Sequence, residues 1–317
     1  MIIVTGGAGF IGSNLTRSLA GDGHAITVVD DADPTTNLTD VPLADVIGQN
    51  EFLARMSSPS VALRGVDAVL HQGACSSTTE TDGEFLWANN VEYSMRIHEA
   101  CTSAGVRMVH ASSAAVYGDG PFGDADQVPL SRPRNAYARS KALFDQYLQR
   151  RLASGIGHGT VSLRYFNVYG PSEGHKGPMA SMVHQGAVQL AESGSIRLFG
   201  EGAGMGAGQH RRDFVHVDDV VAVIRWFADN GVSGVFNCGT GTSRTFSDLA
   251  EVVIEGHGSG AIDFIPFPCW LEGAYQAETR ADLTRLREAG CDVEFSPLEV
   301  GVPAMLADPR GPWGSDA

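Results

Sequence analysis

The chain has 317 residues, 43% of them hydrophobic, enough to bury a large core as one elaborated α/β domain or as two domains, so disorder is not expected. Its 22 basic and 37 acidic residues give a formal charge of −15, which repels phosphate backbones and anionic lipid and excludes nucleic acid and membrane surfaces as main partners. The five cysteines (Cys75, Cys101, Cys238, Cys269, Cys291) are widely spaced, with no C-x-x-C pair and no histidine at metal-ligand spacing. They read as reduced thiols of a cytoplasmic protein, and no metal is expected.

A buried strand begins at Ile2 in "MIIVTG", leaving no basic segment or cleavage site ahead of it. No apolar run approaches the ~18 residues of a membrane span, so a soluble, unexported protein is expected. "SNLTRSLAGDG" has helical spacing and stops at glycine. The runs "AITVVD", "VDAVLHQGA", "VRMVHASS", "TVSLRYFNVYG" and "GVFNCGT" follow, alternating with helical patterns. Continuous apolar runs suit strands covered on both faces, and the alternation predicts an α/β fold with a doubly wound parallel sheet. "NAYARSKALFDQYLQRRLASG" predicts a long amphipathic helix with a glycine stop.

After Tyr169 the texture changes. Residues 170–209 are rich in Gly, Pro and Ser, and "EGAGMGAGQH" (201–210) reads as a mobile loop. Beyond 241 there are short helices and "IDFIPFP", and the closing "DPRGPWGSDA" reads as a frayed end. The expected division is a dinucleotide-binding domain at 1–169 and 212–240. A smaller, discontinuous substrate lobe is expected at 170–211 and 241–310, with part of 280–295 packing on the first.

"TGGAGFIG" follows the first strand and opens the first helix, placing Gly6, Gly9 and Gly12 at three-residue spacing. Such glycines allow a tight turn, close approach of backbone to a pyrophosphate at a helix N-terminus, and close helix-to-sheet packing. A second strand then ends at Asp30, near the ~20 residues downstream where an acidic side chain meets the adenosine ribose. That arrangement suits NAD. A 2′-phosphate would want Arg or Lys nearby, and "DADPTTNLTD" has neither, which leaves NAD and NADP both open.

Tyr137 and Lys141 form Y-x-x-x-K, one turn apart on one face of the long helix. A free phenol has a pKa of ~10, but an adjacent ammonium and a cationic nicotinamide both favour phenolate. "HASSAAVYG" at a strand end offers Ser112 and Ser113 as the hydroxyl that completes a proton relay for alcohol-to-ketone chemistry. The use of lysine is itself informative, because twenty basic residues are arginine and only Lys141 and Lys176 are lysine. An amine can lose its proton when buried and a guanidinium cannot, so both lysines mark candidate chemistry.

On these motifs the chain resembles the extended short-chain dehydrogenases/reductases that modify nucleotide sugars. "HQGACSSTTETDGEF", "ANNVEYS", "SLRYFNVYGPSEGHKGPMAS", "RRDFVHVDDV" and "IPFP…GAYQAETRADLTRLREAG" resemble the ADP-glycero-manno-heptose 6-epimerase family, over a span from Met1 to about residue 295. The resemblance implies a Rossmann fold and epimerisation by transient oxidation: hydride leaves C6 for bound NAD(P), gives a 6-ketone, and returns to the opposite face. Two faces need two acid/base groups, which map onto Tyr137 and Lys176, with Ser113 and Lys141 assisting.

By the same resemblance the cofactor meets Gly6, Gly9, Phe10, Ile11, Gly12, Asp30, Asp31, Gln72, Gly73, Ala74, Cys75, Ser76, Asn89, Lys141 and Val168. The substrate, ADP-heptose or a related nucleotide sugar, meets Asn167, Phe199, Gly200, Glu201, Gly202, Arg212 and Tyr275, with His184 or Gln185 facing the sugar. Arg212 is the expected diphosphate clamp. A homo-oligomer is also expected. The family's preference for NADP relies on lysines where this chain has Thr36 or Asn37 and Gln49, and Pro178 stands where a serine is usual.

Among the alternatives, a 4,6-dehydratase needs an acid directly after the catalytic Ser/Thr, where this chain has Ala114 and Ala115. A UDP-hexose 4-epimerase manages with one tyrosine and would not need Lys176. A non-catalytic NAD(P)-binding sensor or scaffold would have no use for either Tyr137 or Lys141.

Overall fold

The computed structural model describes residues 1–31, 35–118, 120, 122–123, 132–272 and 275–313, the side chains of 35 and 36 excepted. Among these residues twelve strands occur in chain order: β1 (Ile2–Thr5), β2 (Ile26–Val29), β3 (Asp45–Ile47), β4 (Ala68–His71), β5 (Arg107–Ser113), β6 (Thr160–Tyr165), β7 (Asn167–Tyr169), β8 (Ser195–Phe199), β9 (Arg211–His216), β10 (Gly234–Cys238), β11 (Ser243–Thr245) and β12 (Ala261–Ile265). Seven of them form one sheet in the order β10-β6-β5-β4-β1-β2-β3, and every pairing in it is parallel.

This order reverses direction between β1 and β4, the switch point at which doubly wound sheets open a crevice for a ligand. The continuous apolar runs have their explanation here. Ile2, Val4, Val28 and Leu70 pack with the helices Phe10–Gly21 and Val217–Asn230, whereas Ile3, Val29 and Val69 pack with Tyr93–Ala104 and Ala136–Ala153. Each fully buried aliphatic side chain contributes about 1.5–3 kcal/mol relative to exposure.

The described residues form two smaller sheets besides. β7 and β11 flank β9, and β12 pairs with β8 in parallel. The apolar cluster of this region joins Val183, Leu190, Ile196, Leu198, Leu249 and Val253 to Val302 and Met305 of the helix Leu298–Ala307. The segment 201–210, read from sequence as a mobile loop, is pinned: Gly202 and Met205 exchange backbone hydrogen bonds of 3.0 Å each, and Gly208 N–H donates to Phe199. The end read as frayed is packed as far as Trp313. Its indole N–H donates to the Ala187 carbonyl at 3.1 Å, and the Arg310 carbonyl accepts from Ser172 N–H. Residues 314–317 lie outside those described. The composition of this tail looked exposed, but tryptophan and the paired Arg310 and Asp308 give it something to bury.

The parallel sheet also buries imidazoles. His71 lies between Thr5 Oγ1 at 2.6 Å and Ser94 Oγ at 2.8 Å, and His110 meets Ser162 Oγ at 2.8 Å. Burial lowers the pKa of His71 to about 3 and that of His98 to about 4, and lowers that of His110 as well. The folded chain therefore keeps them neutral, while the unfolded chain binds protons as pH falls through ~6.5. Unfolding takes up protons in that window, so stability falls with pH by about 1.4 kcal/mol per unit for each imidazole until the folded values are reached. The urea midpoint is expected to drop between pH 6.5 and 4.5, and a level midpoint would contradict this.

Candidate functional site

The turn after β1 is built by steric necessity. Gly6 has φ +65°, and a Cβ there would lie 2.5 Å from the Gly73 backbone nitrogen; a Cβ on Gly12 would lie 1.9 Å from the Gly6 carbonyl oxygen. The helix Phe10–Gly21 starts from Gly9 with no side-chain cap and no acidic residue in its first turn, so its N-terminal N–H groups and positive dipole end are free to meet an anion. At the end of β2, Asp30 Oδ2 accepts the Ala8 N–H at 2.9 Å. Asp31 Oδ1 accepts the Gln49 N–H at 2.9 Å.

Around this turn lies a cleft of about 460 Å³ whose wall includes every residue expected at the cofactor except Val168. Val168 instead packs half-buried against the central core, because β7 turns away from the main sheet to pair with β9. Gln72 Nε2 is buried without a partner, an orphaned donor beside the cleft. The glycine cradle, the uncapped helix and this donor fit a dinucleotide. Tyr93, Phe85, Val29, Gln49, Tyr165 and His175 also line the cleft. The sequence motifs contain most of these residues, but only Gln49 is named singly from the sequence. Tyr165, which donates to Gln72 Oε1 at 2.8 Å, ends a strand at the crevice and was findable on that ground.

Asn135 caps the helix Ala136–Ala153 by accepting the Ala138 N–H at 2.7 Å, and the helix carries Tyr137 and Lys141 into the cleft. Tyr137 is 9% exposed and hydrogen-bonded to the Ser113 side chain. Ser113 thus acts on the cleft through Tyr137, while Ser112 lines the wall and donates to Asp145 at 3.0 Å. Lys141 Nζ donates to the Ala111 carbonyl at 2.9 Å. Burial brings its pKa down to about 8, against the pull of Asp145 and Cys75.

The phenolate expected from Y-x-x-x-K is not favoured by the chain's own groups. Burial raises the Tyr137 pKa, and the Ser113 hydrogen bond only partly opposes it. The Lys141 ammonium is directed at a carbonyl instead. Tyr137 is consequently a phenol, ready to donate a proton, and needs a further positive charge in the cleft to accept one.

The GHKG loop forms the short helical turn Gly174–Met179. It brings His175 and Lys176 to the same cleft wall as Tyr137, with Lys176 Nζ 5.1 Å from the centre of the Phe10 ring. Burial lowers the Lys176 pKa, and Glu173 opposes the shift. Two groups able to exchange protons, far apart in sequence, thus share one cavity.

The expected substrate residues divide. Arg212 is 8% exposed, stacked 4.8 Å over Tyr275 and 5.6 Å over Phe246, with no carboxylate partner among the described residues. A buried guanidinium held by rings and lacking a counter-ion is suited to an anionic ligand. Phe199 and Tyr275 line a pocket of about 340 Å³ together with Gln185, His210 and Phe246. In the neighbouring aromatic cluster Phe199, His210 and Tyr275 all contact Phe267. A Cβ on Gly202 would strike the Phe267 ring at 2.2 Å, and Gly200 N–H is held by Ile265, so both glycines shape the backbone here.

Glu201 and Asn167 are exposed and line neither cavity. Of the two adjacent helix positions left open by sequence, Gln185 faces the aromatic pocket and His184 a separate groove near Arg310. Pro178 is exposed, and its carbonyl accepts from Gln185 Nε2 at 3.0 Å. Asn37 Nδ2 is committed to the Ala8 carbonyl, and the Thr36 side chain lies outside those described.

The chain is similar to known proteins over nearly its whole length. A curated relative, the ADP-L-glycero-D-manno-heptose-6-epimerase of Alkalilimnicola ehrlichii, is 47% identical over 307 residues, 95% of each chain. The solved ADP-L-glycero-D-manno-heptose-6-epimerase of Helicobacter pylori superposes with a TM-score of 0.78 at 28% identity, covering 96% of this chain and 94% of that one. The Thermus thermophilus UDP-glucose 4-epimerase, solved with NAD, gives a TM-score of 0.73 at 26% identity over 96% and 97%. The described residues contain no helix long and apolar enough to cross a membrane. A family profile matches residues 2–239, from β1 through the last strand of the main sheet, and on that match the chain belongs to the NAD dependent epimerase/dehydratase family.

Proposed function

We propose that the chain is an ADP-glycero-manno-heptose 6-epimerase that inverts C6 of the heptosyl unit. The observation that carries the reading is the meeting of Tyr137 and Lys176 in one cleft wall. An enzyme that turns its ketone over inside the site can work with a single tyrosine; one that holds the sugar fixed needs a proton-transfer group for each face. When bound, the dinucleotide supplies the hydride acceptor and donor at the reacting carbon. Tyr137 exchanges the hydroxyl proton in one configuration, steadied by Ser113, and Lys176 does so in the other.

Arg212, at the edge of the dinucleotide-binding part, binds the diphosphate, and the aromatic pocket at Phe199 and Tyr275 takes the nucleoside; Phe199 and Tyr275 lie in 170–211 and 241–310, which supports reading those segments as the substrate lobe and the parallel sheet as the cofactor domain. Gly6, Gly9 and Gly12 cradle the pyrophosphate, and Asp30 holds the adenosine ribose.

The dinucleotide is NAD in this reading. Asp30 and Asp31 both line the cleft, and a 2′-phosphate beside two carboxylates would be repelled. Arg17, on the helix that follows the glycine turn, is locked on Asp40 by bonds of 2.6 and 2.9 Å and on the Asn37 carbonyl at 3.1 Å. One sample tests both statements: incubate the purified protein with ADP-D-glycero-D-manno-heptose, follow the product by NMR, then identify the nucleotide released on denaturation. The L-glycero epimer and NAD are expected. An unchanged sugar rejects the activity, and NADP rejects the cofactor assignment.

A further inference from the structure

Glu173 is fully buried, and the proposed chemistry makes no use of it. Its Oε2 accepts the Ser181 N–H at 2.6 Å, and its Oε1 accepts the Ser181 hydroxyl at 2.7 Å and the Gly170 N–H at 3.3 Å. The two ends of the loop 170–181 are therefore tied to one carboxylate. Lys176 sits inside the closed loop with its N–H on the Glu173 carbonyl at 3.0 Å. Each carboxylate oxygen accepts a backbone N–H, an arrangement that the ionised form fills. The neighbour Ser172 has φ +70°, a left-handed conformation unusual for serine, and its N–H is fixed by the Arg310 carbonyl at 3.0 Å. Such a residue persists only where its surroundings over-determine it.

We propose that Glu173 is the positioning residue for Lys176: its buried carboxylate closes the 170–181 loop, holds the amine against the Phe10 ring at the cleft wall, and supplies its counter-charge. The coupling runs both ways. Burial raises the Glu173 pKa and Ser181 and Lys176 pull it back, while burial lowers that of Lys176 and Glu173 raises it. The other groups near this amine are His175 on its own turn and His184 on the next helix, both of which feel its charge, and Asp30, Asp31, Tyr137 and Lys141 line the same cleft.

The inference rests on the acid/base reading of Lys176 for its catalytic consequence and not for its electrostatic one. Because the chain has only two lysines, reductive methylation with ¹³C-formaldehyde places NMR labels on Lys141, Lys176 and the α-amino group alone. In Glu173→Gln the Lys176 signal is expected to titrate at a lower pH than in the parent while the Lys141 signal stays in place. In the unlabelled variant kcat is expected to fall by about tenfold to a hundredfold, with KM changed less than about twofold. A Lys176 titration that does not move would overturn the proposal.

Glu173→Asp keeps the charge but retracts it by one methylene, so turnover should fall with little change in titration; full turnover in this variant would also overturn the proposal. It serves as well if Glu173→Gln does not fold. Full turnover in Lys176→Met would remove the two-base reading alone, since the titration shift stands independently of it.

Discussion

Tyr137→Phe is expected to lower kcat for epimerisation by about a hundredfold to ten-thousandfold, the range general acid/base groups contribute. Folding should survive the change. The ring is buried and remains, and the hydroxyl removed has Ser113 as its partner, whose Oγ still accepts the Ala115 N–H at 3.2 Å. Loss of one such hydrogen bond costs about 1 kcal/mol. Bound nucleotide recovered from the variant in the parent's amount, with turnover gone, is the signature of a chemical role. Turnover within about twofold of the parent would show that Tyr137 transfers no proton in the slow step.

Lys176→Met should have an effect of similar size, about a hundredfold or more on kcat. Methionine keeps the length and the apolar packing on Phe10 while removing both the ammonium and the cost of burying it. The cation–π attraction to the Phe10 ring is worth about 1 kcal/mol, so the melting temperature should move little. Lys176→Arg discriminates further. A guanidinium preserves charge and stacking but does not give up its proton, so a purely electrostatic lysine would be rescued by it and a proton-transfer lysine would not. Full turnover in Lys176→Met would return the chemistry to Tyr137 alone, as in an epimerase that turns its ketone over.

The legible parts of the site are those whose geometry is made by neighbours in sequence. The glycine turn is one, because Gly6 and Gly12 answer to sterics within a single strand-turn-helix unit. The Y-x-x-x-K face is another, because four residues make one helical turn whatever packs around it. Val168 lies off the cleft wall because the bend between β6 and β7 sends the chain to a different sheet, and nothing local records that departure. The sequence offers Ser113 beside Ser112, but only the folded strand end shows the first meeting Tyr137 and the second Asp145. The aromatic pocket joins Phe199, His210, Phe246 and Tyr275 from four separate segments, and no spacing rule links them.

The sequence by itself determined the α/β class, the dinucleotide turn, the helical Tyr137 and Lys141 pair, and the singularity of Lys176 in a chain that otherwise uses arginine for positive charge. Those features depend on covalent neighbourhood and on residue chemistry. Only the tertiary structure decided that Lys176 shares a cleft with Tyr137, that Glu173 lies buried beneath its loop, and that burial holds Tyr137 as a phenol and brings Lys141 to about 8. The physical reason is desolvation: the proton affinity of a side chain is set by the dielectric and the charges that the whole fold places around it, and these come from residues distant in the chain.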